Sequence, residues 1–115
     1  MAELMKTLVA LIAAAVSICC SPPAAAADHR CAGDALKQAA KLLAFHFGPD
    51  DRMSVEKSVK VLAPIKNPAA DKQNFDVLEI WGNIYKGRYR MRLIYAQIPS
   101  ECVLMGQEIL EYAKL

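Results

Sequence analysis

The stretch from Phe75 to Ile98 constrains this chain more than any other. Two runs rich in Ile, Val, Tyr and Trp flank Lys86-Gly87. Such residues suit a pleated, half-buried surface. Gly87 suits the positive φ that a tight turn demands. A two-residue loop at Lys86-Gly87 sets Tyr85 opposite Arg88. Ile84 then faces Tyr89, Gly82 faces Met91, Ile80 faces Leu93 and Leu78 faces Tyr95. That face of the hairpin is apolar apart from phenol tips, so it needs a cover. The opposite face presents Glu79, Trp81, Asn83 and Tyr85 on one strand and Arg88, Arg90 and Arg92 on the other. In this register Trp81 pairs with Arg92, Asn83 with Arg90 and Tyr85 with Arg88, and Glu79 lies diagonal to Arg92. Farther from the turn this face becomes Phe75, Val77, Ala96 and Ile98.

Residues 34–47 supply the cover. Leu36, Ala39, Ala40, Leu43 and Phe47 recur at helical spacing, and Leu42 widens the stripe. Asp34 is placed to cap the helix after Gly33, and Gly48-Pro49 stops it. His46 falls in the last turn, where a cation suits the helix dipole. Asp50-Asp51-Arg52 reads as a solvated turn rather than an acid pair with chemistry. Residues 53–63 alternate as one strand, with Pro64 marking its end or an edge position. Residues 66–74 read as a loop. The C-terminal stretch from Pro99 admits either a helix begun at Ser100 or a fourth strand in which Gly106 sits at a bulge; the strand is the favoured reading.

The N-terminus has the three-part layout of a cleavable export signal. Lys6 lies in a short n-region, an apolar run spans Leu8 to Cys20, and Pro22-Pro23 leads to Ala24–Ala27. The run is about 13 residues, short of the about 20 needed to cross a bilayer. A lipoprotein signal fits poorly, because Ile18 and Cys19 precede the two cysteines. Residues 1–27 are therefore expected to be removed, leaving 28–115 as one small domain in the periplasm or outside the cell, with no stable membrane span. Cys19 and Cys20 leave with the signal. Of four cysteines only Cys31 and Cys102 remain, with one possible pairing in an oxidising compartment. A bridge closing about 72 residues stabilises a domain by roughly 4 kcal/mol, which matters in a chain too short to be secure from burial alone.

The expected fold is α+β: an N-terminal helix packed on a three- or four-stranded antiparallel meander with one disulfide. This order of elements resembles that of cystatin or monellin. It is a likeness of order without a motif, and it implies no function.

Net charge is +2, and Lys6 and Glu3 leave together, so the exported chain keeps that value. Such a mild charge argues against nucleic acid as a partner. No Gly-x-Ser-x-Gly, His-Glu-x-x-His or phosphate-cradling glycine loop occurs, and no cofactor is implied. The functional expectation is a non-enzymatic binding protein of the bacterial envelope. Its surface is Trp81, Asn83, Tyr85, Arg88, Arg90 and Arg92, and its partner is an envelope protein or an anionic ligand. The plainer alternative is a solvated sheet face tied together by cation–π pairs. Cleavage after Ala26 would expose Ala27-Asp28-His29, whose amine, amides and imidazole form a square-planar site for Cu(II) or Ni(II). Cleavage after Ala27 would destroy it. An enzyme with a site built from distant residues is the remaining alternative.

Overall fold

A computed structural model describes residues 29–112. Its elements are α1 (Ala32–Phe47), β1 (Met53–Val55), β2 (Lys60–Asn67), β3 (Ala70–Ile84), β4 (Gly87–Ala96) and β5 (Leu104–Tyr112). All strand pairs are antiparallel. β3 pairs with β4, β4 with β5, and both β1 and β2 pair with β3. The chain is thus α+β, one helix on an antiparallel sheet. The expected signal segment lies outside the described residues.

The helix lays one stripe on one face of the sheet. Ala35, Ala39, Leu42 and Leu43 are its buried residues, so Ala35 joins the expected stripe, while Leu36 and Ala40 are only partly buried and Phe47 is exposed. Burying a leucine such as Leu43 stabilises the fold by about 1.5–3 kcal/mol. Beneath α1 lie Leu78, Ile80, Ile84, Tyr89, Met91, Leu93 and Tyr95, all in one core cluster. Gly82 sits among them, and a Cβ there would come within 2.9 Å of Leu43 Cδ2 and Met91 Cε. The missing side chain leaves room for the ends of Leu43 and Met91 to meet over the strand. Asp34 does not cap α1. Cys31 occupies the N-cap without a side-chain hydrogen bond, and Asp34 Oδ2 instead accepts the Tyr95 hydroxyl proton at 2.7 Å.

The hairpin loop is Tyr85-Lys86, not Lys86-Gly87. Ile84 opposes Gly87, Trp81 opposes Arg90 and Glu79 opposes Arg92. Every expected cross-strand pair is displaced by two residues, so each side chain keeps its face and changes its partner. Tyr85 takes the positive φ, at 53°. Gly87 serves a different need: a Cβ there would run into the ring of Tyr89. Its value is space for the phenol, not backbone freedom.

Two further expectations are corrected. Residues 53–63 form two strands rather than one, and the chain leaves the sheet after Val55 before rejoining at Lys60. Glu56 N–H still donates to the Trp81 carbonyl at 2.9 Å, which holds the break close to β3. Residues 66–74 are not a loop. β2 runs to Asn67 and β3 starts at Ala70. Pro64 lies where the β2 register slips between Leu62 and Ile65, on an edge strand where a missing N–H is tolerated. The C-terminal stretch is a strand, and a shift between Ile94 and Tyr95 places a bulge opposite them, beside Gly106.

Candidate functional site

α1 covers one face of the sheet, and among the described residues no helix lies on the other. On that outer face the three arginines of β4 lie between β3 and β5, the arrangement that alternation along β4 dictates. Their partners come from both neighbours. The Arg88 guanidinium lies over the Trp81 ring, 4.2 Å from its centre. Trp81 in turn stands 5.4 Å from Tyr112, centroid to centroid. Arg90 Nη1 donates to the Tyr112 hydroxyl at 3.0 Å, with its guanidinium 5.8 Å from the centre of that ring. Arg92 Nε donates to Glu79 Oε2 at 3.0 Å, and Arg90 Nε lies 3.9 Å from the same oxygen. At the turn end Asn83 Nδ2 donates to Glu56 Oε2 at 3.2 Å, and Arg88 Nη2 lies 3.5 Å from that oxygen.

The cations are therefore unequally committed. Glu79 is 8% exposed, and a carboxylate so enclosed requires a charged or hydrogen-bonding partner. Arg90 and Arg92 supply two, and removing Arg92, the closer one, would leave an enclosed charge poorly compensated. Arg88 is the most exposed of the three, with about half of its side chain in solvent, and its carboxylate partner Glu56 is itself partly exposed. Beside it are the exposed rings and chains of β5: Tyr112 is 40% and Leu110 47% exposed.

Of the six residues expected on this surface, five are brought together: Trp81, Asn83, Arg88, Arg90 and Arg92. Tyr85 is not among them. It stands in the hairpin loop, 67% exposed, with Arg52 and Lys86 against its ring at 5.0 and 5.4 Å. Its place in the aromatic–arginine ladder is taken by Tyr112, which opposes Arg88 across β4 and β5. Sequence reasoning missed Tyr112, Leu110 and Glu56. The alternation Leu110, Tyr112 carries the signal, but only once residues 104–112 are known to be a strand.

His29 is built into the base of the helix. Its Nδ1 accepts the Cys31 N–H at 3.0 Å, so Nε2 carries the proton and donates to Asp76 Oδ2 at 2.9 Å. Asp76 Oδ1 accepts a second bond from Gln97 at 2.9 Å. Partial burial works against ionisation of Asp76, but the bonds from Gln97 and His29 outweigh it and hold the carboxyl below its ordinary range. A metal chelated through the amide and imidazole of His29 would have to displace the Cys31 N–H from Nδ1, and the amine it also needs lies outside the described residues. Among the described residues no group of three His, Cys, Asp or Glu converges on a metal-sized space. The aspartates of the 50–52 turn stay in it. Asp50 binds Arg52 through two side-chain bonds, 3.0 and 2.8 Å, and a backbone bond. Those bonds hold its carboxyl at about 2. No helix among the described residues is long and apolar enough to cross a membrane.

Fold and face together define a class: a disulfide-closed α+β domain with its helix on one side of the sheet and an arginine–aromatic ladder on the other. Beyond that class, no protein-family model, no curated protein and no solved structure matches the chain.

Proposed function

We propose that this is an exported, non-enzymatic binding protein of the bacterial envelope that takes a partner protein on the outer face of its sheet. The observation that carries the reading is the patch of Arg88, Trp81, Tyr112 and Leu110. It combines a half-exposed guanidinium with exposed aromatic and aliphatic surface on the sheet face opposite α1. Arg, Trp and Tyr are the residue types that carry most binding energy at interfaces. The three guanidiniums share two carboxylates, Glu79 and Glu56, so the cluster keeps a single positive charge and attracts a free anion only weakly. It suits a protein segment that offers one carboxylate to Arg88 and apolar groups to Trp81, Tyr112 and Leu110. Arg90 and Arg92 act mainly as scaffolding.

The test is affinity capture from a periplasmic extract, followed by a dissociation constant measured with the purified partner. Arg88→Glu combined with Leu110→Asp should keep the circular dichroism of the parent and weaken the partner by 100-fold or more, on the order of 3 kcal/mol. Tyr85→Ala should bind as the parent does. Undiminished affinity in the double variant would sink the proposal.

A further inference from the structure

We infer that the Cys31–Cys102 bridge is a thiol-exchange site, with Cys102 as the sulfur that accepts an incoming thiol and Cys31 as the leaving group. This is independent of the binding face. The two half-cystines differ in their surroundings. Cys31 is fully buried at the N-cap of α1, and Cys102 is exposed in the segment before β5. A cation spans both: Arg30 Nη1 lies 3.4 Å from Cys31 Sγ and 4.0 Å from Cys102 Sγ. The guanidinium is held there by the Glu101 carbonyl, which accepts from the same nitrogen at 2.8 Å.

Exchange proceeds by attack of a thiolate on one sulfur while the other departs as a thiolate, and a better-stabilised thiolate departs faster. Access selects Cys102 for attack. Two features of the fold stabilise a thiolate on Cys31. Cys31 sits at the positive end of α1, which has no side-chain cap, so the helix dipole favours an anion there. Arg30 adds a full positive charge. Burial of Cys31 against the apolar core works against them, as does Asp34 in the first turn, although its carboxylate is turned to the Tyr95 hydroxyl.

The reaction balances as follows. The thiolate RS⁻, formed by loss of a proton to solvent, makes a bond to Cys102 Sγ. The electron pair of the Cys31–Cys102 bond moves to Cys31 Sγ. The product is a mixed disulfide on Cys102 and a thiolate on Cys31. A second RS⁻ releases Cys102 as a thiolate and leaves RSSR, so two thiols supply the two electrons.

The experiment uses the oxidised exported protein with glutathione as the probe. Samples are quenched by alkylation, and the adduct is located by mass spectrometry. Glutathione should appear on Cys102 with Cys31 alkylated, at a rate first order in glutathione. Arg30→Gln should react about threefold more slowly, because the leaving thiolate loses the cation beside it. Arg30→Lys, which keeps the charge, should restore part of the rate. Glutathione found first on Cys31, or an Arg30→Gln rate equal to the parent's, would overturn the inference. A rate independent of glutathione concentration would do the same, because exchange would then await global unfolding.

Discussion

Asp76 and His29 show how one pair of side chains can fasten a helix to an inner strand of the sheet. Asp76 alternates onto the helix side of β3, and His29 lies just before α1, so the 2.9 Å bond between them ties the helix base to the sheet. Because the carboxyl of Asp76 is held below its ordinary value, its linkage has one sign. Asp76 stabilises the fold above the unfolded value of about 4, and that contribution is lost as pH falls through the lower, folded value. Urea midpoints measured at pH 7 and pH 3 should therefore fall further apart in the parent than in Asp76→Asn. An equal acid drop in both proteins would remove Asp76 from the account. The Tyr95–Asp34 bond works in the same region, and burial together with that bond pushes the Tyr95 phenol far above its usual range. Two sequence-distant pairs thus fix the N-terminal turn of α1, which has no cap of its own.

At the scale of the element, the hairpin separates what alternation determines from what a turn determines. The alternating faces of β3 and β4 are legible from composition at period two. The register is not, because a shift of two residues preserves both faces. Gly87 looks like a turn residue until the ring of Tyr89 is placed over it. The strained position is then Tyr85, a bulky residue at φ 53°, which costs about 1–2 kcal/mol against an ordinary conformation. Asn tolerates that conformation far better. Tyr85→Asn should raise the urea midpoint by an amount worth up to about 1 kcal/mol, since loss of the Arg52 and Lys86 contacts offsets part of the relief. A lower midpoint would mean that those contacts outweigh the strain. The break between β1 and β2 belongs to this scale too. Val55 and Val59 both pack on the core, so alternation reads straight through the gap, and only the pairing with β3 reveals it.

For the whole molecule, the bridge joins the N-terminus of α1 to the segment leading into β5, with Cα atoms 5.6 Å apart and 71 positions between them in sequence. Closing a loop of that size in the unfolded chain is worth about 4 kcal/mol, a large share of the about 5–15 kcal/mol that holds a typical domain. The double variant Cys31→Ser, Cys102→Ser should lose about that much by urea denaturation at an otherwise similar slope. A midpoint near the parent's would show that the core alone secures the helix. Pairing of the two cysteines follows from counting once Cys19 and Cys20 are assigned to an expected, removable N-terminal segment. The helix, its stop at Gly48 and the buried face of the sheet follow from periodicity, which is local and survives any register. Five of the six expected surface residues follow for the same reason. What tertiary structure alone decided is which residues meet. Arg90 rather than Arg92 opposes Trp81, Tyr112 replaces Tyr85 in the ladder, and His29 finds Asp76. Each depends on a contact across the sheet or between distant segments, whose energy is realised only when the turn, the bulge beside Gly106 and the disulfide are all in place.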